Sequence, residues 1–241
     1  KTQIEETMAL EGELRRGVES IDFFVHCQPK FDMIDGQIIG VEALIRWRIG
    51  QRMISPAAFI PIAEETGLIT SIGRWVFETA SSQLRAWNEK YELPEGFRVS
   101  VNMSVHQLHD PMLVSMVHKI IDQRKIDHTL MEIEITESLF FERTQESVSR
   151  LESLRKLGMG IALDDFGTGY SSLSYLAKLP LTVLKIDKAF VDEIQTPQGV
   201  AIISAVVALA RGLNIDVVAE GVETAEQVDR LVQLGCRFAQ G

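Results

Sequence analysis

The stretch from 131 to 187 reads MEIEIT at 131–136, VSRLESLRKLG at 148–158, GIALD at 160–164 and TVLKID at 182–187. The first, third and fourth pieces are short and rich in Ile, Leu and Val, with alternating faces, as strands are. The second places Val148, Leu151, Leu154 and Leu157 on one stripe and ends on Gly158, as a helix with a glycine beyond its C-terminus does. Strand, helix and strand in this order make a parallel βαβ unit. The same rhythm extends in both directions. Further strands are expected at Phe23–Gln28, Ile38–Trp47, Arg98–Asn102, Ile215–Glu220 and Cys236–Gln240. A helical stripe runs Ile72, Trp75, Val76, Thr79, Ala80, Gln83, Leu84 and Trp87. Another runs Leu113, Met116, Val117, Ile120 and Ile121, opened by Asp110 as cap and Pro111 at the first position. A third, Ile203, Val206, Val207 and Ala210, runs towards Gly212. Eight strands alternating with helices from the second onward predict an α/β fold, a closed (β/α)8 TIM-like barrel.

Parallel strands buried on both faces should be apolar on both, and these are not. Glu42, Leu44 and Arg46 share one face of the second strand, opposite Val41, Ala43 and Ile45. Ser100 and Asn102 lie opposite Val99 and Val101. Glu132, Glu134 and Thr136 lie opposite Ile133 and Ile135. Asp164 sits with Ala162, Lys185 with Asp187, Glu220 with Val218, Gln240 with Phe238, and Gln28 ends the first strand. The apolar parity must face the surrounding helices, so the polar parity points into the barrel. Acids converging there without cations would repel one another and be poorly solvated. Oxygen donors without His or Cys select a hard cation, Mg2+ or Mn2+, with Ca2+ as an unproductive occupant. Asp164 and Asp165 are adjacent and point different ways, so a bent turn lets them reach two ions. Two ions about 3.5–4 Å apart suit in-line phosphodiester hydrolysis.

Composition agrees with that chemistry and narrows the partners. Of 241 residues 46% are hydrophobic and 24% charged, with 24 Lys+Arg against 34 Asp+Glu and a net charge of −10. So acidic a chain is a poor match for a nucleic-acid polymer or an anionic membrane, whereas a small anionic substrate is compatible if metals intervene. Two distant cysteines, Cys27 and Cys236, make no framework and point to a reducing cytoplasm. No apolar run is long enough to span a bilayer. No linker divides the sequence, so one domain over residues 1–241 is expected. Residues 1–20 form a lead-in connector helix, and the C-terminal end is read as truncated.

Further strings carry a resemblance. Glu42-Ala43-Leu44-Ile45-Arg46-Trp47 resembles the signature of EAL domains. Gln28-Pro29, Ser55-Pro56 with Phe59-Ile60-Pro61, Asn102-Met103-Ser104 and Glu134-Ile135-Thr136-Glu137 match in order. So do Asp164-Asp165-Phe166-Gly167-Thr168-Gly169, Leu184-Lys185-Ile186-Asp187, Ala219-Glu220-Gly221-Val222-Glu223 and Gln240-Gly241. The resemblance implies a bacterial phosphodiesterase that hydrolyses cyclic di-GMP to linear pGpG, with the first barrel strand antiparallel to the rest. It implies one metal on Glu42, Asn102, Glu134 and Asp164, and a second on Asp164, Asp165 and Glu220. Lys185 orients or helps to deprotonate the attacking water, so that Lys185, Glu42 and Glu220 carry the catalysis. Gln28, Arg46, Glu223 and Gln240 contact the substrate or its water. Glu137 anchors the loop Asp165 to Ser172, which is implicated in homodimerisation and in coupling to an upstream regulatory domain. The resemblance also allows a membrane anchor in parts of a longer protein. Departures are small: Cys27 stands where an aromatic is common, and Lys188-Ala189 where Arg-Ser is frequent.

Rival readings fare worse. Asp165-Phe166-Gly167 lacks the Gly-rich loop of a kinase. Lys185 among acids is held charged, unlike a Schiff-base lysine. His106 and His109 read as surface or cap residues, and Trp47, Trp75 and Trp87 as core or lid residues. The remaining alternative is an inactive cyclic di-GMP sensor or protein-interaction module, against which stands a complete ligand set.

Overall fold

The computed structural model describes residues 3–20, 22–137, 144–167 and 173–241. In chain order these form α1 (Gln3–Ser20), β1 (Phe23–Asp32), β2 (Ile38–Ile49), β3 (Arg52–Ile54), α2 (Pro56–Glu65), α3 (Leu68–Lys90), β4 (Arg98–Asn102), α4 (Val105–Leu108) and α5 (Leu113–Arg124). After a 3-10 turn (His128–Leu130) come β5 (Met131–Thr136), α6 (Gln145–Lys156), β6 (Gly160–Phe166), α7 (Leu173–Leu176) and β7 (Val183–Ile186). The chain then runs through α8 (Lys188–Asp192), α9 (Pro197–Leu213), β8 (Asp216–Glu220), α10 (Ala225–Gln233) and β9 (Phe238–Gln240). No described helix is long and apolar enough to cross a membrane.

The sheet order β1-β9-β8-β7-β6-β5-β4-β2 closes through a β1–β2 pairing, giving an eight-stranded barrel with β3 hairpinned onto β2. Pairs from β2–β4 round to β8–β9 are parallel, whereas β1 is antiparallel to both its neighbours. The expected barrel and its reversed first strand are both present.

The two strand faces separate as their parity requires. Val99, Val101, Ile133, Ile135, Ile161, Leu163, Leu184 and Ile186 join the large apolar core beneath the helices. Opposite residues fill the barrel. Ala162, Val183 and Val218, with Phe238 against them, form a small separate apolar cluster. Lys30, Glu42, Ser100, Glu132, Glu134, Lys185 and Gln240 are buried polar residues of the same interior.

Some expected boundaries move. β1 continues through Pro29, opposite Val41 of β2, to Asp32. β3 is too short to read from periodicity. Asp110 does not cap α5 directly: its carboxylate accepts the Met112 amide at 2.8 Å, closing a turn before the helix begins at Leu113. α9 passes through Gly212 and ends at Asn214, which takes the left-handed conformation itself. Gly158 does follow α6 with φ 105°. Trp47 is wholly buried, its ring 5.8 Å from Phe23 and 5.5 Å from Phe59, and so belongs to the core. Both cysteines are free, and burial pushes the Cys236 thiol up to about 12.

Candidate active site

Strands of a parallel barrel all deliver their C-terminal ends to one rim, which is why residues far apart in sequence meet there. Lys185, on β7, is fully buried at the centre. Its ammonium lies 2.6 Å from Glu134 Oε2, 2.7 Å from Glu220 Oε1, 3.2 Å from Asp164 Oδ1 and 3.3 Å from Glu42 Oε2. Burial works against its charge, but these four carboxylates outweigh burial and hold the pKa well above the lysine range. Glu42 is fixed from both sides. Asn102 Nδ2 donates to one of its oxygens at 2.6 Å, and Gln240 Nε2 donates to the other at 2.6 Å. Gln240 also donates to Gln28 Oε1 at 3.2 Å, so Gln28 joins the same network.

The acids fall into two overlapping groups. Glu42, Glu134 and Asp164 each bring an oxygen within 4.8 Å of the others, and so do Asp164, Asp165 and Glu220. Asp164 belongs to both because β6 is irregular at this point. Its register against β7 shifts between Leu163 and Phe166, and Asp165 takes φ 57°. Such bulges re-aim side chains, and Asp tolerates the left-handed region better than most residues. The Asp165 amide turns back to donate to Asp164 Oδ1 at 3.0 Å. Two adjacent carboxylates thereby serve neighbouring positions.

Charge at this rim is unbalanced towards the negative. Burial, with repulsion from Asp164 and Glu42, pushes Glu220 up to about 7 in spite of Lys185. Burial and the neighbouring Asp164 and Asp187 raise Asp165 as well. The Lys185 ammonium already occupies the middle of an all-oxygen donor set. The residues therefore fit hard divalent cations, in the positions that the ammonium only partly neutralises.

Beside Asn102, an apolar cavity of about 370 Å³ opens between β2, α3 and α4, lined by Leu44, Arg46, Pro56, Ile60, Ile72 and Met103 among others. Arg46 donates to the Ile45 carbonyl at 2.9 Å, with its chain along this wall.

A family model described as EAL domain matches residues 11–241. The chain belongs to the EAL domain family. EAL phosphodiesterases are metal-dependent, and the two acid groups could hold metal ions. The chain is 41% identical over 239 residues to the bifunctional diguanylate cyclase/cyclic di-GMP phosphodiesterase MucR of Pseudomonas aeruginosa, covering 98% of this chain and 35% of that protein. It is 37% identical over 238 residues to the cyclic di-GMP phosphodiesterase PdeR of Escherichia coli, covering 98% of this chain and 35% of that one. This EAL domain thus spans about a third of the length of these curated relatives. A solved structure titled PaMucR phosphodiesterase, c-di-GMP complex, superposes with TM-score 0.90 at 42% identity, covering 97% of this chain and 94% of that one.

Within the EAL domain, the structure gathers Glu42, Asn102, Glu134, Asp164, Asp165, Lys185, Glu220, Gln28 and Gln240 at one rim. Arg46 stands apart on the cavity wall. Glu223 is well exposed and pairs with Lys188 at 3.0 Å rather than with the acid cluster. Glu137 accepts the Gly167 amide at 3.1 Å. Gly167 has φ 102°, and a Cβ there would lie 2.7 Å from the Phe190 ring, so only glycine presents that amide. The rest of the expected loop, 168–172, lies outside the described residues. His106 on α4 and His109 at its C-terminal end are both exposed; the capping box of this helix uses Ser104 and Gln107.

Sequence reading missed Lys30. Its ammonium lies 2.6 Å from Glu134 Oε1, 3.0 Å from Glu132 Oε1 and 2.6 Å from Ser100 Oγ. The signal was present, since Lys30 shares strand parity with Gln28. Ending the strand at Gln28 hid it.

Proposed function

We propose that this EAL domain hydrolyses one phosphodiester bond of cyclic di-GMP, releasing linear pGpG, with two divalent cations, Mg2+ or Mn2+, at the rim. The observation that carries the reading is the pair of oxygen clusters sharing Asp164. Glu42, Asn102, Glu134 and Asp164 hold one cation, and Asp164, Asp165 and Glu220 the other. When bound, such ions lower the pKa of water and neutralise charge on the phosphodiester. Ca2+ fits the same oxygens and acts as an inhibitory occupant.

The chain's own groups do the rest. Lys185 is an ammonium among carboxylates, so it donates a hydrogen bond and orients the attacking oxygen. Glu42 and Glu220, held by Asn102, Gln240 and Lys185, fix the positions around it. Gln28 and Gln240 face the same space. The apolar cavity takes one nucleobase, with Arg46 on its wall available to a phosphate oxygen, and Glu223 contacts the other end of the ligand. Glu137 holds the root of the following loop through Gly167. In the longer protein we place the domain in the cytoplasm, as a homodimer coupled through that loop to an upstream regulatory domain.

Purified protein with Mg2+ or Mn2+ should convert cyclic di-GMP to pGpG, and EDTA should abolish turnover. Binding without product under both metals would defeat the enzymatic reading and favour a sensor.

A further inference from the structure

We infer that His118, Asp122 and His128 form a second metal site, for a zinc-like divalent transition ion, at the end of the barrel remote from the acid rim. One donor atom from each residue lies within 4.8 Å of the other two. His118 and Asp122 are one turn apart on α5, with His118 Nδ1 2.9 Å from Asp122 Oδ2. The third group comes from a different element. α5 ends at Lys125 in the left-handed conformation, and the chain turns so that His128 opens the 3-10 turn leading into β5. Its ring lies 5.4 Å from that of His118.

An ordinary surface pair one helical turn apart would account for His118 and Asp122 alone. It does not account for the second imidazole. His128 Nε2 is buried with no hydrogen-bond partner among the described residues, and buried polar atoms are rarely left so. His128 is also held in place. Asp127 caps its turn by accepting the Thr129 amide at 2.8 Å. The His118 and Asp122 side chains are about half exposed. Donors around tetrahedral zinc at its usual bond lengths sit about 3.3 Å apart. Small rotations of the two exposed side chains would therefore bring them to bonding distance around the His128 imidazole.

The donor chemistry separates this site from the rim. Two imidazoles and one carboxylate suit Zn2+, Ni2+ or Co2+, whereas the rim offers oxygen alone and suits Mg2+ or Mn2+. The proposal does not depend on the phosphodiesterase reading. A bound ion would tie the C-terminal end of α5 to the entry of β5, and the fourth coordination position would face solvent.

The test is calorimetric titration of the full chain with Zn2+, in an Asp164→Asn background and in excess Mg2+, so that the rim does not contribute. One zinc per chain is expected, undisplaced by Mg2+, and thermal unfolding should shift upward with zinc. His118→Ala and His128→Gln should each weaken zinc binding by about tenfold or more, while His106→Ala should leave it unchanged. His118 is exposed on a helix surface, so its replacement tests the site without endangering the fold. No zinc uptake, displacement by Mg2+, or full-strength binding in both variants would overturn the assignment.

Discussion

Lys30→Met is the most informative single change in the barrel interior. Lys30 is 4% exposed and is bonded to Glu132, Glu134 and Ser100. Methionine keeps the length of the side chain and removes the charge, leaving two buried carboxylates short of a partner. Breaking a buried pair from one side costs about 3–5 kcal/mol. The Glu134 carboxyl gives a second figure. Burial would raise its pKa, but Lys30 and Lys185 overcome burial and hold it down from 4.5 to about 2. That depression corresponds to about 3 kcal/mol, shared between the two lysines. Among the described residues Glu132 would keep Ser100, at 2.7 Å, and Arg98, at 3.7 Å. The two routes bracket the cost at about 1.5–5 kcal/mol at neutral pH. A depressed carboxyl contributes stability above its unfolded pKa and loses it as pH falls through the folded one. The difference between parent and variant should therefore be full near pH 7 and shrink from about pH 4.5 downward. Urea unfolding at several pH values measures it. A cost below about 1 kcal/mol at pH 7, or a gap that widens in acid, would show that the lysine is not neutralising these carboxylates.

Other consequences follow from the rim. Asp164→Asn should abolish binding of both ions, whereas Asp165→Asn should leave one bound and cyclic di-GMP still docked; metal stoichiometry and ligand affinity, measured side by side, distinguish the two. Arg46→Ala should raise KM with little change in kcat, because a phosphate contact exists before reaction; steady-state kinetics with a fall in kcat alone would contradict it. Glu220 must ionise against burial, Asp164 and Glu42, with a pKa of about 7. The metal-free domain should accordingly lose stability, up to about 3 kcal/mol, as pH rises from about 4.5 through 7. Mn2+ should raise Tm more at pH 8 than at pH 6, which a melting series reads directly.

The barrel and its donor set were legible because both rest on local pattern. Alternation within MEIEIT, GIALDD and TVLKID assigns each side chain to a face, and parallel strands send one face inward at a common rim. That pattern alone marks Glu42, Asn102, Glu134, Asp164, Lys185 and Glu220 as inward-facing donors. The reversed first strand was not in that pattern; it came with the family resemblance, since alternation has no direction. The bend that lets Asp165 diverge from Asp164 depends on a register slip against β7, which belongs to a pairing of two strands and not to either alone. Lys30 acquires its role only when closure of the barrel brings β1 against Glu132 and Glu134, about a hundred residues away. His118, Asp122 and His128 likewise meet through the turn between α5 and β5. Sequence by itself determined which faces are polar and which chemistry they offer. Tertiary structure alone decided which charges become partners, because energies between buried groups depend on distances that only chain closure sets.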